Sequence, residues 1–241
     1  MLIRSPNSGL QNRDTLEKLL DGVTKARDEL KPSLLTSRKP KLILKIAPDL
    51  EESQLIEMAE VIRKSNIDGV IVSNTTIQRP KDLVSRKWRQ TLIVHSFDDS
   101  IPVTIDNQSE VGGLSGKPIK PYSLKALQTL RAHLPASVPL IGCGGISTGK
   151  DALDYAKAGA CMVQVFTSFG YDGVGACRRI KDQLVDELVK EGKTWEQVVD
   201  EAVGKLSLKE SQEPKENNVQ QLILEAQELK VLVDQLGQRY T

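Results

Sequence analysis

Short runs of β-branched and apolar residues alternate with helical patterns along most of this sequence, and this alternation restricts the fold more than any other feature. Apolar runs that end in polar or glycine-rich loops and lead into amphipathic helices are typical of β/α units in a parallel sheet. The predicted strands are residues 41–47, 69–73, 138–142 and 161–166, with a stub at 2–4. The predicted helices are residues 13–30, 51–65, 121–134, 148–158 and 173–191.

Apolar side chains within these segments fall at helical spacing. In the first of them, Leu16, Leu20 and Val23 recur at intervals of three and four and share one face. Asp49 and Ser53 carry side chains typical of helix caps and are predicted to begin the second helix.

Composition and charge exclude several classes of protein. With 39% apolar and 27% charged residues in 241, the chain can build one sizeable core and is too polar for a membrane bundle. The net charge of +1 gives no basic field, so nucleic acid is not expected as a partner. Cys143, Cys161 and Cys177 lack metal-type spacing and are expected to be small buried side chains, with no metal site. No targeting segment is expected at the N-terminus.

Two segments interrupt the alternation. Residues 85–110 contain two strand-like runs joined by a turn-prone Asp-Asp-Ser, which predicts an inserted hairpin or loop in which Trp88 and His95 pack or face solvent. After residue 208, a charged linker precedes apolar residues at coiled-coil-like spacing, which predicts an amphipathic helix at 217–239. That helix either docks on its own domain or pairs with a second copy. The predicted domains are therefore residues 1–208 and 209–241.

Two glycine clusters lie where loops are expected to carry chemistry. GGLSGKP occupies residues 112–118, and IGCGGIS at 141–147 runs from a predicted strand into a helix. Backbone amides and a helix N-terminus at such a place suit a phosphate group. Tight β/α turns also use glycine for conformational reasons alone, and these residues by themselves leave both interpretations open.

Six motifs follow one another in a recognisable order. They are SPNS at 5–8, LKIAPDL at 44–50, SNTT at 73–76, GGLSGKP at 112–118, GCGG at 142–145 and VQVFTS at 163–168. In this order they resemble the class 2, quinone-dependent dihydroorotate dehydrogenases, from the fourth barrel strand of that family to the eighth. The resemblance implies an α/β fold, a partial (β/α)₈ TIM barrel of about strands 4 to 8.

The resemblance also implies an activity. Enzymes of this family oxidise (S)-dihydroorotate to orotate in de novo pyrimidine biosynthesis, with FMN as cofactor and ubiquinone as electron acceptor. The family works at the mitochondrial inner membrane, which it contacts through N-terminal helices not expected in this chain. Because the first three barrel strands and one FMN-binding lysine are also expected to be missing, the isolated chain is expected to be impaired or inactive.

The roles of individual residues are carried over from the same resemblance. Ser5 matches the general base, which is a cysteine in class 1 enzymes. Substrate contacts are implied for Asn7, Asn74 and Thr75. Leu2 and Arg4 depart from the family pattern beside the base, and the family usually has tyrosine at Phe166. The residues matching FMN contacts are Lys45, Ser73, Ser115, Gly116, Gly144, Gly145, Phe166 and Thr167.

The sequence is also compatible with three different identities. The chain could be another FMN-dependent barrel oxidoreductase, or a phosphate-binding barrel lyase or isomerase, since these share glycine loops of this kind. It could be a non-catalytic remnant or assembly module that pairs through the helix at 217–239. The sequence could also be an incomplete reading of a longer gene.

Overall fold

The computed structural model describes residues 13–31, 38–80 and 112–208. All of them belong to the first of two units, Met1–Leu208. Several predictions lie outside the described residues: the strand stub at 2–4, the site residues Ser5 and Asn7, the hairpin at 85–110 and the helix at 217–239. The proposed domain boundary stays a prediction.

Four parallel strands form one sheet in which each strand lies beside its predecessor in the chain. They are β1 (Ile43–Ile46), β2 (Gly69–Val72), β3 (Leu140–Cys143) and β4 (Met162–Gln164). All three pairings are parallel. Consecutive parallel order arises when every β/α unit places its strand next to the previous one, as in the wall of a (β/α)₈ barrel. The four predicted strands are therefore present, and their ends differ from the predicted ones by about two residues at most.

Seven α-helices accompany the strands among the described residues. They are α1 (Arg13–Asp28), α2 (Glu52–Lys64), α3 (Lys120–His133), α4 (Gly149–Lys157), α5 (Thr167–Asp172), α6 (Ala176–Glu191) and α7 (Trp195–Leu206), with a 3₁₀ turn at Lys117–Ile119 before α3. Five of them coincide with the predicted helices, and α5 and α7 are additional. Within the described ranges, no helix is both long enough and apolar enough to cross a membrane.

The start of α2 differs from the prediction. Its N-cap is Glu51, whose backbone N–H donates to Gln54 Oε1 at 3.0 Å. Asp49 lies two residues earlier, and its carboxylate accepts instead from the hydroxyl of Thr76 and from the N–H of Ile77. Ser53 lies inside the first turn of α2 and is exposed. The two predicted caps are thus wrong, because Asp49 is engaged by the loop that follows β2.

The main core lies between the sheet and the helices that flank it. Leu44, Val70 and Leu140 on β1 to β3 are at most 2% exposed and pack in one cluster with residues of α2 and α3. Each fully buried side chain of this kind stabilises the fold by about 1.5–3 kcal/mol. The edge strand β4 is different, since Met162 is 61% exposed. The sheet is therefore tightly packed along three strands and open along the fourth.

The cysteines are only partly as expected. All three are free thiols; Cys143 is buried, Cys161 is half-buried and Cys177 is exposed. The expectation of burial is wrong for Cys177, because it lies on the face of α6 that turns away from the core.

Candidate functional site

A cavity of about 250 Å³ opens where the loops leave the carboxyl ends of the strands. Its walls come from five separate segments of the chain, and the ten predicted site residues that lie in the described ranges all line it. The fold therefore brings these ten together, although their individual roles stay predictions. They are Lys45, Ser73, Asn74, Thr75, Ser115, Gly116, Gly144, Gly145, Phe166 and Thr167.

One end of the cavity, which we call the glycine end, consists of Ser115, Gly116, Gly144, Gly145 and Thr167. Gly145 has φ +68°, and a Cβ there would lie 2.7 Å from the Cβ of Lys120 and 3.1 Å from the carbonyl oxygen of Gly116. Both the backbone angle and the contact favour glycine. The two glycine-rich loops consequently touch through their backbones.

The glycine end offers hydrogen-bond donors. No hydrogen bond among the described residues uses the backbone N–H of Gly144 or Gly145. Thr167 Oγ1 donates to Ser115 Oγ at 3.0 Å, so two hydroxyls meet on the opposite wall. Across residues 13–31, 38–80 and 112–208, no carboxylate lines the cavity. This combination suits an anion such as a phosphate.

The opposite end, which we call the lysine end, consists of Lys45, Ser73, Asn74, Cys143 and Gln164. Lys45 Nζ donates to Gln164 Oε1 at 3.4 Å and lies 4.0 Å from Cys143 Sγ. The hydrogen-bond acceptor of this ammonium is thus a neutral amide. Burial raises the pKa of the Cys143 thiol, although the Lys45 ammonium opposes the shift. The thiol is therefore protonated at neutral pH.

Ser73 is only 1% exposed, and its hydroxyl is already engaged within the protein. Its Oγ donates to the carbonyl of Asn74 at 2.9 Å and shares a 2.6 Å hydrogen bond with Ser123 Oγ. Nearby, Tyr155 OH donates to the carbonyl of Gly144 at 2.7 Å, and burial raises the pKa of this phenol. The first two hydroxyls fix the loop after β2, and the phenol fixes the loop after β3.

The loop that carries Asn74 and Thr75 is held from two further sides. Thr76 is fully buried, and its hydroxyl donates to Asp49. Its backbone pairs with Leu114 in both directions, at 3.1 and 2.7 Å. The side chain of Thr75 lies so close to Gly113 that any Cβ there would overlap it. Asn74 and Thr75 are therefore presented to the cavity by a fixed loop.

Several residues of this site were not predicted from the sequence. Cys143, Gln164 and Ser168 line the cavity, while Ser123 and Tyr155 support it from the core. Gln164 and Ser168 lie inside the recognised motif at 163–168 and could have been read from it. Ser123 and Tyr155 lie on helices, and only the packing of those helices reveals their part. Within the described residues, no group of three His, Cys, Asp or Glu side chains is placed to hold a metal.

Fold and site together define a class of protein. Consecutive parallel β/α units with a glycine-lined cavity at the strand ends form part of a (β/α)₈ barrel. The chain belongs to the dihydroorotate dehydrogenase family, whose family model matches residues 3–188.

Curated relatives agree with this assignment. The chain is 44% identical over 208 residues to the mitochondrial dihydroorotate dehydrogenase (quinone) of Lachancea kluyveri, a match that covers 83% of this chain and 43% of the relative. Identity to the protein of the same name from Mus musculus is 35%, over 78% of this chain and 42% of the relative. The chain thus spans about two fifths of the length of these relatives.

Solved structures support the fold. Ligand-free DHODH from Eimeria tenella matches with a TM-score of 0.67 and 32% identity, covering 79% of this chain and 51% of that one. The same protein in complex with ferulenol matches with a TM-score of 0.66 over 82% and 50% of the two chains. The predicted α/β fold, a partial TIM barrel, and the predicted family are confirmed.

Proposed function

We propose that this chain forms the FMN-binding and substrate-binding part of a quinone-dependent dihydroorotate dehydrogenase, which oxidises (S)-dihydroorotate to orotate in de novo pyrimidine biosynthesis. One observation carries the proposal: ten residues matched to the family from five distant segments line a single cavity. Ubiquinone as acceptor and the mitochondrial inner membrane as location belong to the same proposal, supported by the names of the relatives.

The glycine end fits the phosphate of FMN. Its amides at Gly144 and Gly145, which form no hydrogen bond with the described residues, and its paired hydroxyls at Ser115 and Thr167 supply donors for phosphate oxygens. Gly116 has φ +84°, and a Cβ there would lie 3.3 Å from the methyl of Thr167. The backbone of Gly116 therefore lies close to the side chain of Thr167. Phe166 lacks the hydroxyl usual in the family, but backbone amides bind phosphate without it.

The lysine end fits the flavin ring and the pyrimidine. Bound FMN supplies the two-electron acceptor of the reaction. The Lys45 ammonium contacts a neutral amide and a protonated thiol, so its charge can stabilise negative charge near the ring. The carboxamides of Asn74 and Asn7 can each donate to a carbonyl and accept from a ring N–H, and Thr75 adds a hydroxyl.

Proton removal is assigned to Ser5 on the family resemblance. A serine hydroxyl is a weak base at neutral pH, so it must pass the proton onward to a water or a neighbouring group. Ser5 lies outside the described residues, and this part of the proposal depends on sequence alone.

Ligand binding tests the proposal directly. The 241-residue chain is titrated with FMN and with riboflavin while flavin fluorescence is recorded, and orotate is then added to the FMN complex. We expect FMN to bind at least about tenfold more tightly than riboflavin, because each charge-assisted hydrogen bond to phosphate contributes about 1.5–3 kcal/mol. Orotate should perturb the flavin absorption spectrum. A folded chain that binds neither FMN nor orotate overturns the proposal.

Turnover is measured separately. The isolated chain is expected to be impaired or inactive, and reduction of a dye by dihydroorotate tests that expectation. A yellow protein that reduces the dye at a rate comparable with that of a full-length relative contradicts the expected inactivity and leaves the binding proposal intact.

A further inference from the structure

The two glycine-rich loops belong to different β/α units. To bind one phosphate group together, they must be held at a fixed distance from each other. The first loop, residues 112–118, ends just before Lys120 at the start of α3. The second lies between β3 and α4, at residues 144–148, and ends just before Asp151 in the first turn of α4. Lys120 Nζ lies 2.5 Å from Asp151 Oδ1 and 2.7 Å from Asp154 Oδ2. An ion pair therefore joins the helices that follow the two loops.

Asp151 reaches the second loop with its other oxygen. Asp151 Oδ2 accepts from the backbone N–H of Ser147 at 3.0 Å and of Thr148 at 2.9 Å. It also accepts from Thr148 Oγ1 at 2.8 Å. One oxygen of this carboxylate thus contacts the second loop, and the other contacts the residue that follows the first loop.

Lys120 also meets the second loop through its own backbone. A Cβ on Gly145 would lie 3.0 Å from Lys120 N and 2.7 Å from Lys120 Cβ. The first loop is in the same contact, since the carbonyl oxygen of Gly116 would lie at 3.1 Å. The ion pair and this backbone contact both link the same pair of loops, and both involve Lys120.

We infer that Lys120 and Asp151 form a clamp that positions the two glycine loops for the phosphate of FMN. The inference deepens the proposed function and rests on it. Lys120 is a positioning residue, since it lies outside the cavity lining. It acts through the placement of the Gly116 carbonyl and of the Gly144 and Gly145 amides.

The electrostatics of the clamp agree with this role. The side chains of Lys120 and Asp151 are 20% and 17% exposed, so the pair is shielded from solvent. Burial lowers the pKa of Lys120, but its bonds to Asp151 and Asp154 outweigh that effect and raise it. Lys150 pairs with Asp154 on the outside at 3.0 Å. Two lysines and two aspartates cancel in charge, so the cluster exerts no net attraction on a phosphate.

Matched variants test the clamp. Lys120→Met removes the ammonium, and Asp151→Asn keeps an oxygen for the second loop while it weakens the ion pair. Lys150→Met is the control. Lys150 also pairs with Asp154, but its side chain is 70% exposed and it does not pair with Asp151, the residue that contacts the second loop. Dissociation constants for FMN and riboflavin are measured for each variant, with Tm as a check of folding.

Opposite outcomes separate a clamp from a simple effect of charge. We expect Lys120→Met and Asp151→Asn each to weaken FMN binding about tenfold, at the lower end of the loss seen when a hydrogen-bonded partner behind a metal ligand is removed. Riboflavin binding and the control should stay within about twofold of the unmodified chain. A charge effect predicts instead that Asp151→Asn strengthens FMN binding. That result, or an equal loss for FMN and riboflavin, overturns the clamp.

A second measurement does not depend on flavin. In the ligand-free chain, amide hydrogen exchange at residues 146–148 should become several-fold faster in Lys120→Met and return toward the original rate in Lys120→Arg. Unchanged exchange in Lys120→Met overturns the clamp even when FMN binds as proposed. The unmodified chain could bind FMN no more tightly than riboflavin while amide exchange still responds to Lys120→Met as expected. That result refutes the proposed ligand but not the clamp.

Discussion

The two ends of the cavity are built in different ways. At the glycine end, backbone meets backbone at Gly116 and Gly145, and a shielded ion pair lies behind the contact. At the lysine end, Lys45 reaches Gln164 at 3.4 Å, and Gln164 belongs to the exposed edge strand β4. Backbone contacts keep their geometry whether or not a ligand is present, whereas long side chains must be ordered by one. The glycine end is therefore preorganised, whereas the Lys45–Gln164 pair at the lysine end is not.

This difference matches the chemistry proposed for each end. A phosphate anchors the cofactor and needs fixed donors, since every donor already in place lowers the entropy cost of binding. The ring instead needs a positive charge beside it while it accepts electrons. Four predictions test whether the two ends really differ, and they run from the largest expected effect to the smallest.

Gly145→Ala should be the most damaging substitution. Alanine at φ +68° costs about 1–2 kcal/mol, and overlap with Lys120 adds about as much again, so we expect a loss of about 3 kcal/mol in the free energy of unfolding. Urea unfolding measures it. Gly192→Ala is the control: its φ of +65° also lies in the left-handed region, but nothing lies within 4 Å of the added Cβ. Equal losses in both variants would show that the loop contact contributes nothing.

Lys120→Met should remove about 2 kcal/mol of stability, between the values typical of exposed and buried ion pairs. The pH dependence follows from the pKa shifts. Burial raises the pKa of Asp151, but bonds from Lys120, Thr148 and Ser147 outweigh this and hold it below the ordinary 3.8. Its contribution is therefore complete above pH 3.8 and is lost as the pH falls through the lowered pKa.

The contribution of Lys120 to stability depends on pH in the opposite direction. The pKa of Lys120 is raised above its ordinary 10.5, so its contribution is complete below pH 10.5 and is lost as the pH rises through the raised pKa. Unfolding free energies of the original chain and of Lys120→Met should differ by a constant amount between about pH 5 and 9 and converge in acid. A difference that changes within that window contradicts the assigned pair.

Lys45→Met should weaken FMN and riboflavin binding by the same factor, about tenfold, because Lys45 is proposed to act on the ring that both ligands share. The same titrations used for the clamp measure it. A selective loss of FMN binding would show that Lys45 contacts the phosphate instead of the ring. The two ends would then not differ in the part of FMN that they bind.

Most of the fold and much of the cavity can be predicted from the sequence, because their signals are local. Runs such as Ile43–Ile46 show their strand character locally, and ordered motifs identify the loops that follow. Helix α7 was missed although its signal is local: Thr194 and Gln197 form a capping box ahead of the apolar face of Val198 and Ala202.

Other features cannot be read from local patterns. Lys120 and Asp151 are 31 residues apart, and their pairing depends on how α3 and α4 pack on the sheet. Asp49 looks like a cap because its sequence neighbours suit one, yet a threonine 27 residues away binds its carboxylate. Contacts of this kind become predictable only once the order of the strands is known.

The smallest expected effect compares one side-chain bond at each end. Gln164→Ala removes a single 3.4 Å bond on an exposed strand and should cost no more than about 0.5 kcal/mol of stability. Thr148→Ala removes the N-cap of α4 beside the glycine end, where Thr148 Oγ1 accepts from Asp151 N at 3.1 Å, and should cost about 1 kcal/mol. Urea unfolding resolves the two. Should Gln164→Ala cost as much as Thr148→Ala, the lysine end is held as firmly as the glycine end, and preorganisation does not distinguish them.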